Sequence, residues 1–210
     1  MATPAAFWDG IAETYASKPV ENPEAFERKI AITRALMTPE SVVLDVGCGT
    51  GSLALRLAAS GAHIHGLDIS SEMNRIAKEK ARAAGVQNVT FHCGPFDAAF
   101  DRFDAESLDG VCAYSILHLL EDHHAALAQM YRLLKPGGFF VSSTVCLGQK
   151  RYLYGPVLWV MRMFGKAPMV KLLTANALAD DIGAAGFVDV AQPDVGAQSE
   201  VAFITARKPS

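Results

Sequence analysis

The chain has 210 residues, half of them apolar and a fifth charged, with a formal net charge of −3. That length suits one compact domain able to bury a full core, and the composition is that of an ordinary globular protein. No block of Lys or Arg is present, which argues against nucleic acid as a main partner, because phosphate-backbone binding needs a concentrated basic surface.

Residues 5–37 read as two helices, interrupted around Lys18-Pro19 and Pro23. Apolar strand-like runs follow at 41–46, 62–68, 88–93, 107–113, 138–146, 186–192 and 199–206. Helical patterns fall between them at roughly 51–60, 71–84, 122–134 and 174–185. Ser70 or Ser71 can cap the second of these helices and Gly85 ends it. Pro136-Gly137-Gly138 stops the helix that reaches Lys135 and turns the chain into a new strand. Strand and helix alternating in this way predict an α/β fold with parallel pairing and helices on both faces. The linker at 193–198 is too short for a parallel crossover, so the last strand is expected to run antiparallel to its predecessor. Residues 147–172 stand outside the alternation as an apolar insertion rich in Tyr, Met, Leu, Trp and Phe.

Four widely spaced cysteines (Cys48, Cys93, Cys112 and Cys146) form no C-x-x-C and suit free thiols in a reducing cytoplasm. The first nine residues lack the basic and apolar regions of a signal peptide. The most apolar later window, Tyr152 to Phe164, is too short to cross a bilayer, so no integral membrane association is expected. His63, His65, His92, His123 and His124 show no metal-ligand spacing with nearby Cys or acids, and no metal is expected.

The most informative stretch is Val42-Val43-Leu44-Asp45-Val46-Gly47-Cys48-Gly49-Thr50-Gly51. An apolar strand arrives at an acid, makes a turn with three glycines and launches a helix, which is how a parallel strand ends on a loop that can press its backbone against a ligand. Twenty-three residues after Asp45, a second apolar run ends on Asp68, well placed to accept hydrogen bonds from both hydroxyls of a ribose. A dinucleotide loop wants G-x-G-x-x-G, but Ser52 stands where the third glycine should fall, and no P-loop lysine follows. The turn is therefore not tuned for phosphates, and Asp45 suits a nucleoside that carries positive charge.

Asp45–Gly51 resembles the first motif of the class I S-adenosylmethionine-dependent methyltransferases. Leu108-Asp109-Gly110-Val111-Cys112-Ala113 and the segment after it resemble the family's fourth-strand motif, and Leu133–Gly138 completes the pattern. The overall arrangement is similar to the ubiquinone/menaquinone-biosynthesis type of that family. The resemblance implies a Rossmann-like three-layer sandwich with a seven-stranded, mostly parallel sheet whose last strand is antiparallel. It implies S-adenosylmethionine as cofactor, S-adenosylhomocysteine as product, and in-line methyl transfer to a small acceptor. It divides the single domain into an N-terminal helical cap (1–40), a cofactor-binding core (41–146), an acceptor-side insertion (147–172) and a C-terminal helix and hairpin (173–210).

The same resemblance distributes roles along the chain. Gly47, Cys48, Gly49 and Gly51 would approach the methionine part of the cofactor, and Asp45 would organise the turn and help hold the ammonium. Asp68 would accept from the ribose, Ile69 would wall the adenine ring, and Asp97 would accept from the adenine amine beside Phe96. Tyr114 and Ser115 would sit at the tip of the fourth strand, and Tyr15 of the N-terminal segment would touch the carboxylate. His118 is the candidate general base, because imidazole titrates near neutral pH. The apolar, Met-rich insertion suits an adaptable wall for a quinone-like, lipid-like or aromatic acceptor, or equally a buried helix or a dimer surface. Other readings keep the nucleoside scaffold with another chemistry, such as aminopropyl transfer, or a non-catalytic protein docking a partner through 152–164.

Overall fold

A computed structural model describes residues 3–164 and 167–210. Two helices, α1 (Pro4–Ser17) and α2 (Pro23–Ala35), precede β1 (Val42–Val46), α3 (Ser52–Ala58), β2 (His63–Asp68), α4 (Ser71–Ala83) and β3 (Val89–Cys93). The second half holds β4 (Leu108–Tyr114), α5 (His123–Leu133), β5 (Leu134–Val145), α6 (Arg151–Met163), α7 (Ala175–Ala184), β6 (Val188–Ala191) and β7 (Val201–Arg207). The seven strands form one sheet in the order β3-β2-β1-β4-β5-β7-β6. Pairing is parallel from β3 to β5, and β7 runs antiparallel to both β5 and β6. Strand order reverses between β1 and β4, and the crevice at their carboxyl ends is where an open α/β sheet takes its ligand.

Period-two alternation along the strands loads both faces of the sheet. Val43, Ile64, Cys112 and Val141 pack with Ile30 of α2, Leu53 and Leu57 of α3, and Ala77 of α4. Leu44, Val46, Val111 and Phe140 point the other way, against Leu127 and Met130 of α5 and Leu178 and Ile182 of α7. Caps fall where the sequence offers them: Asn22, Ser70, Asp122 and Thr174 each accept a backbone amide of the helix they open. The α1 helix lies on α4 through Ala12, Met73 and Ile76, and Asp9 accepts from the Ser70 hydroxyl at 2.6 Å and the Glu72 amide at 3.1 Å.

Two boundaries differ from the sequence pattern. The strand expected from 138 starts at Leu134, so the Pro136-Gly137-Gly138 punctuation lies inside β5. The segment forms a bulge in β5 itself, since Leu108 pairs with Leu134 but Gly110 with Phe139, and Gly137, at φ +76°, donates its amide to Lys208 O of the returning chain. The insertion is a helix, α6, lying on the extended segment that follows it, with Pro156 inside. Among the described residues no helix is long and apolar enough to cross a membrane.

Candidate functional site

The glycine turn closes the carboxyl end of β1 by spending its amides on the protein. Gly47 N and Cys48 N both donate to Leu67 O, at 2.7 and 3.0 Å, Gly51 N donates to Cys48 O, and Gly49 N donates to Asp68 Oδ2 at 2.9 Å. A phosphate site needs such amides free, so the geometry agrees with the sequence in excluding one. Gly47, Gly49 and Gly51 have φ of +72°, +52° and +78°, a region that side chains make costly. At Gly47 a Cβ would also lie 2.8 Å from Ile116 Cβ, so the side chain of Ile116 roofs the turn. Cys48 turns its thiol into the core and offers only backbone; burial holds that thiol well above its ordinary pKa.

Asp45 sits beneath this turn, 1 % exposed. Gly51 caps α3 without a side chain, and the Asp45 carboxylate takes the Ala54 amide of that helix's first turn. Its Oδ2 is buried with no partner. Burial first and the charge of Asp68 second push its pKa up to about 8. Asp68, at the end of β2, accepts Gly49 N through Oδ2 and Ser70 N through Oδ1, both at 2.9 Å. Burial raises its pKa and those two amides oppose the rise. Two carboxyl groups, one of them with an orphaned oxygen, make the crevice a place for a cation.

Other predicted residues divide into those at the crevice and those turned from it. Tyr15 reaches back from α1 so that a Cβ on Gly49 would meet its Cε1 at 3.8 Å. Crowding by protein raises its phenol pKa, with Asp68 and Asp45 adding to the rise. Ser115 follows β4 with φ +55° and donates its amide to Ser143 O at 2.6 Å, leaving its side chain exposed at the strand tip. Ile69 is part-buried after Asp68. The Asp97 carboxylate is exposed beyond β3, where Oδ1 accepts the Ala99 amide. The Phe96 ring packs on Phe100 in the core and offers no free edge to a ligand. Tyr114 is turned away: its hydroxyl lies 2.9 Å from Thr33 Oγ1 of α2 and its ring packs edge-on against Phe203.

His118 is buried in a 3-10 turn after β4, its carbonyl accepting Lys171 N at 2.7 Å, and its Nδ1 has no partner. Burial lowers its pKa to about 4, so the ring is neutral at physiological pH. Because the folded value lies below the ordinary 6.5, stability from this group is complete above pH 6.5 and is lost as pH falls toward 4. About 3 kcal/mol should disappear over that window, and His118→Gln should flatten the acid limb of a urea-unfolding pH series.

Sequence spacing missed three features. Lys29 lies on the same stripe of α2 as buried Ala25 and Thr33, donates to Ser143 Oγ at 2.9 Å at the carboxyl end of β5, and has its pKa lowered by burial. A lysine four residues from each of two buried positions was the available signal. Ile116 gave no signal at all. Asp181, far along the chain, completes a group with His123 and His124, where His123 Nε2 is 2.9 Å from Asp181 Oδ2. Lys171 Nζ is 3.2 Å from the other ring nitrogen, so His123 is hydrogen-bonded at both nitrogens and ties α5 to α7 and to the 167–173 segment.

Residues 43–138, from β1 into β5, match the family model described as "Methyltransferase domain". The chain carries a methyltransferase domain. The chain is 31% identical over 146 residues to a demethylmenaquinone methyltransferase of Anoxybacillus flavithermus, covering 66% of this chain and 61% of that one. It is 30% identical over 148 residues to a ubiquinone biosynthesis O-methyltransferase of Acinetobacter baumannii, covering 69% and 62%. The chain thus spans less than two thirds of the length of these curated relatives. The fold matches a Haemonchus contortus phosphoethanolamine N-methyltransferase 2, solved with phosphomonomethylethanolamine and S-adenosylhomocysteine, at a TM-score of 0.76. That match is 18% identical and covers all of this chain and 61% of the other. The Asp45–Gly51 turn and the segment after β4 lie at the carboxyl-end crevice, whereas Leu133–Gly138 opens β5 beside the start of β4, at the other end of the sheet.

Proposed function

We propose that the chain is an S-adenosylmethionine-dependent methyltransferase acting on a small apolar or aromatic acceptor. The observation that carries this reading is the fully buried, unpartnered Oδ2 of Asp45, beside Asp68 and under a turn whose amides are already engaged. A cation that also carries a ribose fits that set, and a phosphate does not. When bound, S-adenosylmethionine supplies a methyl group on a positively charged sulfur, already activated toward a nucleophile.

The residues then hold and orient. Asp45 faces the ammonium, the Gly47–Gly51 backbone lines the methionine part, and Asp68 uses its remaining lone pairs on the ribose hydroxyls. Ile69 and the Phe96 backbone border the adenine, and Asp97 accepts from its amine. Tyr15 closes over Gly49, and Lys29 offers a half-buried ammonium to the carboxylate of the cofactor or to an acidic acceptor. Fixing two reactants in one crevice contributes roughly 7–11 kcal/mol in well-oriented systems. Burial to a pKa of about 4 makes neutral His118 a weak base, so it can take the acceptor's proton only as bond formation to the methyl group acidifies that proton.

Asp68→Ala should weaken S-adenosylmethionine binding at least about tenfold, since a hydrogen bond to a charged group contributes roughly 1.5–3 kcal/mol. Isothermal calorimetry measures this, with thermal unfolding run beside it to show the variant folded; equal affinity would reject the ribose assignment. The names of the two relatives support a quinone-like acceptor, and a screen with radiolabelled methyl donor against hydroquinones and phenols tests it.

A further inference from the structure

Eight of the eleven strongly exposed large apolar side chains among the described residues lie in one stretch, 152–164. Tyr152 is 78% exposed, Trp159 64%, Met163 65% and Phe164 73%. Turning about 100° per residue, α6 sets Tyr154, Gly155 and Leu158 along one narrow, part-buried seam, where a Cβ on Gly155 would lie 3.7 Å from Leu172. The rest of the wheel, from Trp159 through Tyr152 and Val160 to Val157, is apolar and faces outward. A surface helix ordinarily turns its apolar stripe inward, and here the arrangement is reversed. A contiguous face of this kind marks a binding surface.

Charge chooses the occupant. Between Asp122 and Asp180 the sequence holds no Asp or Glu, and residues 148–172 hold five Lys or Arg in a chain whose net charge is −3; of these, Lys150 pairs with Glu200 at 2.7 Å and Lys171 Nζ lies 3.2 Å from His123 Nδ1. Two copies brought together through α6 would oppose like charges. An anionic bilayer complements both features, taking apolar side chains below its headgroups and basic ones at their level. Tyr152 and Trp159 are the residue types that settle at that boundary.

We infer that α6 docks on an anionic phospholipid surface with its outward face buried. The placement of α6 gives the docking a use. Gly148 N donates to Leu173 O and Lys171 N to His118 O, both at 2.7 Å, so the helix is tied to the carboxyl end of the sheet beside the candidate acceptor side. An apolar acceptor dissolved in the bilayer would meet the crevice without crossing water. That use rests on the methyl-transfer reading, but the docking itself does not, and vesicle binding is measured without turnover.

The test is co-sedimentation of the full chain with vesicles of phosphatidylcholine alone and of phosphatidylcholine with about one third phosphatidylglycerol. Binding to the anionic vesicles is expected, weakening with added salt, with little binding to the neutral ones. The double variant Trp159→Glu, Met163→Glu should lower partitioning at least tenfold without changing thermal unfolding, since both side chains are exposed; Val188→Glu, on exposed β6, should leave it unchanged. The inference is overturned by protein staying in the supernatant, by equal binding to both vesicle types, or by binding that the double variant retains. A lipid-free dimer in analytical ultracentrifugation that the double variant dissociates would overturn it too, assigning the face to a second copy.

Discussion

Asp45→Asn is expected to make the free protein more stable at pH 7 while removing most of its affinity for S-adenosylmethionine. The carboxyl group, 1 % exposed and near Asp68, has a folded pKa of about 8 against an ordinary 3.8. The folded state therefore binds the proton more tightly than the unfolded chain does. Stability from this group is complete below pH 3.8 and is lost as pH rises toward 8, a penalty of about 4 kcal/mol at neutrality. Asparagine keeps an oxygen for the Ala54 amide and cannot ionise, so the penalty vanishes. A bound cation reverses the balance, because it draws Asp45 into its charged form. Wild-type binding at pH 7 should then release up to about one proton, and affinity should climb with pH toward 8. The variant should release none from this position and bind about 10–150-fold more weakly, the range of a lost charged hydrogen bond. Calorimetry in two buffers of different ionisation enthalpy counts the protons, and urea unfolding gives the stability. A variant that is less stable and still releases the proton would remove Asp45 from the site.

This opposition between stability and function explains which parts of the molecule were legible in the sequence. Alternation of strand and helix follows from burial, which every core residue reports independently, so the seven strands and the antiparallel end were readable from periodicity and one short linker. The Asp45–Gly51 turn was readable because it breaks the local rules: an acid closes an apolar strand, and glycines stand where φ is positive. Side-chain direction was less accessible. Tyr114 occupies the tip of β4, but the same parity that places Ser115 at the crevice turns Tyr114 under α2, onto Thr33. Start of β5 at Leu134 was hidden because Pro136 and two glycines read as punctuation, whereas they bulge out of β5 between Leu134, which pairs with Leu108, and Phe139, which pairs with Gly110. Contacts between distant segments left no local trace. His123 with Asp181 is one; Lys29 with Ser143, 114 residues apart, is another.

Gly47→Ala and Gly49→Ala should separate backbone strain from steric closure in the glycine turn. Both positions have positive φ, +72° and +52°, and an L-residue there costs about 1–2 kcal/mol. Only at Gly47 does the new methyl meet the protein: its Cβ would fall 2.8 Å from Ile116 Cβ and Cγ1, whereas at Gly49 the nearest atom is Tyr15 Cε1 at 3.8 Å. Overpacking of that kind adds about 1–3 kcal/mol, so Gly47→Ala is expected to lose about 2–5 kcal/mol of stability and Gly49→Ala only the smaller, conformational part. Ile116→Ala in the Gly47→Ala background removes the Cγ1 and Cδ1 contacts but keeps the one to Cβ, so it should restore part of the steric share and leave the strain, which a double-mutant cycle in urea reads directly. Binding should sort differently. Gly49→Ala puts a methyl in contact with Tyr15, the residue proposed to close over the turn, so its affinity should fall by more than its stability. Gly49→Ala costing as much stability as Gly47→Ala would mean that Ile116 does not roof the turn, and unchanged affinity in Gly49→Ala would mean that the contact between Tyr15 and Gly49 plays no part in holding the ligand.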